Sequence, residues 1–524
     1  MKRLHNMLIA VVLGTAVLGT GATVTYFEES SPSTMNPLFA KTMVDHRSHE
    51  LVFDRLFYRS SVTNELESRL VTSYEKLEGG KKLKLVLREG VKWHDNEKLT
   101  PADICFTIEA MLNPKTPSTI SRDFRKNIVS CDAVMKENAA IVEFKKAYHN
   151  PRERVAFPVL PKHVFGSSEI YPDHDFATRP TGTGPMKANK GRTETRFTTF
   201  QNVHHDAAID VLAQRGGGDS AVQVNSLITA TVQGVISVPP AIRPTVAASD
   251  EVALKSYDLR SWWFMALNTS TPFLKDQRIR QAIDLALDRN ELRKLTIGVD
   301  ENDPNPPCEF VSGPFVQSSS YYNRSVKFRA SKDLAKSNAL MNSTGSTKLA
   351  GRWSKGGNPV ALRIGLHAPL DSEAKDLANY IGNQLGDAGF GTQVYKVSND
   401  DWTRKAVSGR LSGEYDALIG KWSFGVREDV NAMFQTRDDA KGLGSQNIFN
   451  YSDAEVDKLI SKFEAAKTDT EAQDAYNDLH AYLAKDLPYV FLWKLDTKSA
   501  WRNEIRGNMI APYFYFTGFD EWKF

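Results

Sequence analysis

A chain of 524 residues is too long for one hydrophobic core, because single cores stop growing near roughly 250–300 residues. Two large lobes are expected before any motif is read. Cysteine gives no framework on which something smaller could depend. Cys105, Cys131 and Cys308 lie far apart without CxxC spacing, which leaves room for one disulfide and no more.

The first residues constrain location. Lys2 and Arg3 precede an apolar run from Met7 to Leu18, and small residues follow to Ala22. This is the pattern of a secretory signal over residues 1–22. The run is about 12 residues, against the roughly 20 that a membrane-spanning helix needs. No Cys follows it, so no lipid attachment is expected there. Removing Lys2 and Arg3 takes the formal charge from +3 to +1, a balance that gives nucleic-acid binding no footing. The expected mature protein is exported, soluble and monomeric.

Patterning along the chain is mixed. Leu83, Leu85 and Leu87 mark a strand that ends at Arg88-Glu89-Gly90. Thr100-Pro101-Ala102-Asp103 supplies an N-cap, a proline and an acid for a helix carrying Ile104, Ile108, Met111 and Leu112. Amphipathic helices are expected over Lys275 to Thr296, over Asp371 to Ala388 with Gly389 closing it, from a Ser452/Glu455 capping box, and from Ala472 to Leu483. The runs Leu362 to Leu366 and Tyr415 to Ile419 read as strands between them, so the class is α/β.

The order of motifs resembles the extracellular solute-binding proteins of family 5, the oligopeptide, dipeptide and nickel receptors of ABC importers. Ser33-Thr34-Met35-Asn36-Pro37 is similar to the family's opening element, with Asn36 for Asp. Leu87 to Asp95 followed by Leu99 to Asp103 resembles its signature, with Asn96 where Gly is usual, a residue that tolerates the left-handed conformation. Thr181-Gly182-Thr183-Gly184-Pro185, Asn268 with Pro272-Phe273, Arg278 to Ala282 with Asp288-Arg289, Ser312 to Phe315 and Pro488 to Leu492 match later elements.

The resemblance implies a two-lobed periplasmic-binding-protein fold, type II and cluster C-like, with the ligand cleft between lobes. Residues 23–267 and 488–524 would form the first lobe, residues 268–487 the second, with crossings near Asn268 and Pro488. It also implies a peptide-like small ligand, a periplasmic location, an inner-membrane ABC permease as partner, and no cofactor. The site residues carried over are Trp422 and Phe424 lining the cleft, Lys41 and Met43 on the facing first-lobe segment, and Trp493 after the second crossing. In the family's peptide receptors a carboxylate after this tryptophan meets the peptide's α-ammonium; here Gly425 occupies that position. Glu428 and Asp429 are the candidate replacements, and Arg427 a candidate for a ligand carboxylate. Trp262 and Trp263 should point to opposite faces of their strand.

Other binding classes stay open beside this one: a receptor for a metal chelate, haem or an oligosaccharide. The competing enzyme class, a secreted hydrolase, lacks a nucleophile. No GxSxG elbow or phosphate loop is present, and the HExxH pattern begun at His49-Glu50 fails at Phe53. His46 with His49, and His204-His205-Asp206, read as scattered surface groups and not as metal ligands.

Overall fold

Thr23–Glu28 alternates buried Val24, Tyr26 and Glu28 with exposed Thr23 and half-buried Thr25 and Phe27, as a strand with one face on the core does. It runs parallel to Val211–Gly216 on one side and to Gly234–Val235 on the other. Thr497–Arg502 enters the same seven-stranded sheet between Gly234–Val235 and Val252–Tyr257. Both chain ends therefore build the first lobe. A four-stranded antiparallel sheet, ordered Val71–Leu77, Lys82–Leu87, Ala139–Phe144, Ile128–Val134, adds a second layer to it. This computed structural model describes residues 23–60, 65–118, 121–257, 260–299, 308–406, 409–424, 427–438, 446–510 and 514–524; the expected signal over residues 1–22 and Gly425 lie outside them.

The second lobe is organised by a five-stranded sheet ordered Gly391–Val397, Ala361–His367, Ala417–Ser423, Ser261–Leu267, Tyr489–Phe491. Every residue of Ser261–Leu267 is buried. Trp263, Met265 and Leu267 enter one apolar cluster, Trp262, Phe264 and Ala266 another, as strand alternation demands. Both tryptophans are core residues.

Sheet membership corrects the expected crossings. Ser261–Leu267 and Tyr489–Phe491 already belong to the five-stranded sheet, so the chain passes from the seven-stranded sheet to it between Tyr257 and Ser261 and returns between Leu495 and Thr497. The motifs at Asn268 and Pro488 mark the far ends of these strands. Asn268 caps one of them, its side-chain amide donating to Ser412 O at 2.7 Å and Tyr415 O at 3.1 Å.

Helix boundaries also differ where a side chain competes for the backbone. The expected helix from Lys275 to Thr296 is two, Gln277–Leu285 and Arg289–Ile297, because the Asp288 carboxylate accepts from Glu291 N at 3.0 Å and starts a new helix. The helix expected from Asp371 begins at Leu377 and closes at Gly389, φ 101°. Asp453, and not Ser452, caps Ala454–Ala465, accepting from Glu455 N at 2.9 Å. Pro101–Leu112 has its Thr100/Asp103 capping box, and Asn96 is left-handed at φ 75°. Cys105 and Cys131 form a disulfide and Cys308 is a buried free thiol. Among the described residues no helix is long and apolar enough to cross a membrane.

Candidate functional site

The helix Met43–Val52 begins where Thr42 and Asp45 cap each other. Thr42 Oγ1 accepts from Asp45 N at 3.1 Å, and the Asp45 carboxylate accepts from the amides of Ser33, Lys41 and Thr42 at 2.6, 2.8 and 3.0 Å. Burial opposes the charge on Asp45, but these donors, with the Ser33 hydroxyl, hold it below the usual carboxylate range. The carboxylate thereby ties the opening Ser33-Thr34 segment to the helix start. At the other end, Gly184 N donates to Val52 O at 2.9 Å, and a Cβ on Gly182 would come within 1.8 Å of the same oxygen. The glycines of the 181–185 motif are thus required by a backbone approach.

One face of this helix is packed into the lobe by Val44, Arg47, Ser48 and Leu51, while Met43, His46 and Glu50 remain half-buried. Their i, i+3, i+7 spacing makes them one stripe. Half-buried Arg55 follows, its guanidinium 4.7 Å from the centre of the Phe514 ring and donating to Ala156 O at 3.1 Å. Lys41 is exposed at the edge.

These groups keep open surface yet titrate as interior groups. Burial pushes His46 down to about 3, with Arg55 and His49 adding to it, and pushes Arg55 down to about 10. Burial also lifts the Glu50 carboxyl to about 8, although Phe516 N donates to it at 2.8 Å.

Phe514 connects this stripe to the second lobe, for it shares an apolar cluster with Phe424 and with half-buried Tyr58, Trp422 and Tyr321. Trp422 lies opposite Trp262 in the antiparallel register of Ala417–Ser423. It is half-buried, and its Nε1 is enclosed without a hydrogen-bond partner among the described residues. Phe424 stacks on Phe315 with centroids 5.9 Å apart.

The structure separates the remaining expected site residues. Glu428 is buried with its oxygens engaged by the Arg260 guanidinium and the Ser319 hydroxyl; it fastens its loop to the start of the crossing strand and offers no free carboxylate. Arg427 pairs with Asp429. Trp493 is fully buried in the second lobe's other core, its strand paired with Cys308–Phe310. A one-residue change of phase along that strand decides this, and the motif did not reveal the phase.

The lobes also meet through polar contacts. Glu464 reaches Lys146 at 2.8 Å and Lys126 at 3.6 Å, and His149 meets Asp469 at 3.0 Å. Glu153, paired with Arg59 at 2.9 Å, is lifted by burial while Arg59 and then Arg427 from the opposite lobe pull it down. Sequence reasoning did not find His46, Glu50 or Arg55. The signal present was the i, i+3, i+7 spacing of Met43, His46 and Glu50 after the Thr42/Asp45 capping box.

Comparison with known proteins adds context to this geometry. Residues 65–443 match the family model described as bacterial extracellular solute-binding proteins, family 5 Middle. The chain is 22% identical over 470 residues to the oligopeptide-binding protein AppA of Bacillus subtilis, covering 86% of this chain and 82% of that protein. It is 21% identical to the dipeptide-binding protein of Escherichia coli, covering 98% and 96%. Among solved structures, Bacillus subtilis AppA in complex with a nonapeptide superimposes with a TM-score of 0.80 at 17% identity, covering 96% of this chain and 98% of that one. The periplasmic EDTA-binding protein EppA gives 0.83, also at 17% identity, covering 96% of each.

Proposed function

This chain belongs to family 5 of the bacterial extracellular solute-binding proteins, and from that premise we propose that it is a periplasmic receptor that holds a peptide or peptide-like solute between its lobes and delivers it to an inner-membrane ABC permease. It acts as a monomer and binds without turnover. Its first lobe is 23–257 with 497–524, its second 261–495.

The observation that carries this reading is the half-buried stripe of Met43, His46 and Glu50 with Arg55, which Phe514 links to the cluster holding Trp422 and Phe424. A zwitterionic solute needs one buried acid and one buried base, because an unpaired charge in a water-poor cleft is costly. Glu50 and Arg55 supply them from the first lobe, and the aromatic wall supplies apolar contact. In this reading Glu50 takes the ammonium that Gly425 cannot meet. Mass spectrometry of solute released from the purified protein by denaturation tests the proposal. Peptides or modified amino acids support it; a metal chelate or sugar would replace it.

Two expected results follow from this site. Burial lifts Glu50 to about 8, so in this reading pairing with a ligand ammonium expels a proton. Calorimetry in two buffers of different ionisation enthalpy should register this release, and equal heats in both would reject the pairing. The same group sets a stability slope. Its folded pKa lies above the unfolded value, so the stability associated with its protonated form is complete below about 4.5 and is lost as pH rises through about 8. Glu50→Gln should therefore match wild type near pH 4.5 and exceed it near pH 9, by about 1–2 kcal/mol once the open face is allowed for. Denaturant melts at the two pH values check this.

Closure is the third expectation. The interlobe ion pairs are partly exposed and contribute about 1 kcal/mol or less each, so bound ligand must supply most of the closing free energy. Small-angle scattering should show a smaller radius of gyration at saturating ligand, and Glu464→Lys should require more ligand to reach it. A radius that ligand leaves unchanged argues against hinge closure.

A further inference from the structure

We propose that Asp54, His204 and His205 form a site for a divalent transition-metal ion of the zinc type, inside the first lobe and apart from the solute cleft. The histidine pair reads from sequence as a surface feature with Asp206. The structure instead buries it against Asp54, about 150 residues earlier, with side chains 3%, 1% and 4% exposed for His204, His205 and Asp54. One donor atom from each residue lies within 4.8 Å of the other two.

Both imidazoles aim the same ring nitrogen at one carboxylate. His204 Nε2 lies 2.8 Å from Asp54 Oδ2, and His205 Nε2 lies 3.0 Å from Oδ1 and 3.2 Å from Oδ2. Tetrahedral zinc with bonds near 2.0–2.1 Å holds its donor atoms about 3.3 Å apart. The nitrogen–oxygen distances of 2.8–3.2 Å fall at most about half an ångström short of that spacing, and the two nitrogens lie within 4.8 Å of each other. Two nitrogens and an oxygen suit zinc among the available divalent ions, with a fourth position left for water.

The surroundings of His205 match those of a metal-bound histidine. His205 Nδ1 meets Asp520 Oδ2 at 2.8 Å, the carboxylate–histidine contact that fixes ring orientation and tautomer behind a ligating nitrogen. Thr183 Oγ1 donates to Asp54 Oδ2 at 2.9 Å and orients the carboxylate. His204 Nδ1, on the far side of its ring, is buried without a partner among the described residues, so only His205 has the outer contact of a ligating imidazole. An ion here would staple the helix-end segment at Asp54, the 202–206 turn and the C-terminal Asp520, three remote parts of one lobe.

The test uses the full exported chain without an affinity tag, stripped with EDTA and titrated with Zn2+ or Co2+. One equivalent should bind, raise the Tm, and, as Co2+, give the strong visible absorption of a tetrahedral site. His204→Gln and His205→Gln should each abolish that absorption, while His163→Gln, in an exposed pair with Asp95, should keep it. Should the histidine variants fail to fold, the Co2+ form of the wild type decides. Hyperfine-shifted exchangeable signals from two imidazoles support the site. No bound equivalent, fewer than two such signals, or a His204→Gln protein with the wild-type spectrum overturns it and leaves a hydrogen-bonded charge cluster.

Discussion

Arg47→Met is expected to lower stability by about 3–5 kcal/mol, the usual cost of removing one member of a buried ion pair. Arg47 and Glu28 have side chains 1% and 0% exposed. The pair is bidentate, with Nε 2.8 Å from Oε1 and Nη2 2.7 Å from Oε2, and Nη1 reaches the Tyr257 hydroxyl at 3.4 Å. It joins the opening strand, the helix that carries the cleft stripe, and the last strand before the chain leaves the first lobe. Burial raises the Glu28 carboxyl above its ordinary range even with Arg47 beside it. Without Arg47 the carboxyl must take up a proton or remain uncompensated.

That argument gives the deficit a pH dependence. Taking up a proton becomes easier as pH falls, so the gap between Arg47→Met and wild type should narrow toward pH 5. A double variant with Glu28→Gln should lose less than the sum of the single changes, because each single change leaves one buried charge unpaired and the double leaves none. Urea melts at pH 5 and pH 8 provide the measurement. A loss below about 1 kcal/mol at pH 8 would mean that water reaches the pair.

Trp422→Ala should weaken solute binding by well over tenfold, since truncating a large aromatic anchor commonly costs about 2 kcal/mol or more and about 1.4 kcal/mol is a factor of ten. Trp422 is half-buried on a strand whose neighbours are core, and its indole N–H has no partner among the described residues. A solute oxygen would satisfy that donor, which makes the residue more than an apolar surface. Trp422→Phe should recover the stacking part of the affinity but not the hydrogen bond. Calorimetry with the solute identified from the purified protein, after melts confirm that each variant is folded, separates the two contributions. Wild-type affinity in Trp422→Ala would remove this residue from the cleft.

Gly425→Asp completes the series, although the structure does not describe that position. Binding of free peptides should improve while N-acetylated ones gain nothing, because only the former carry the ammonium that the new carboxylate would meet. Equal gains for both would point to a general effect on the loop.

The amino-acid sequence by itself determined the features that rest on local chemistry and on length. It required two lobes because one core cannot absorb so long a chain. It marked the Pro101–Leu112 helix by its cap and the strand Lys82–Leu87 by its alternation, and sent Trp262 and Trp263 to opposite faces because strand geometry has period two. The ordered motifs carried the family resemblance. Tertiary structure decided everything that depends on partners remote in sequence. Trp493 looked like a cleft residue and is core, and Glu428 looked available and is held by Arg260, 168 residues away. His46 looked like a scattered surface group and is half-buried on the helix Met43–Val52. His204 and His205 looked exposed, yet Asp54 and Asp520 wait for them in the interior. The physical reason is common to all four. A side chain's chemistry is written in its own residue type, but its solvation and its pairing are set by whatever the fold packs beside it, and here those neighbours come from the opposite lobe or the opposite end of the chain.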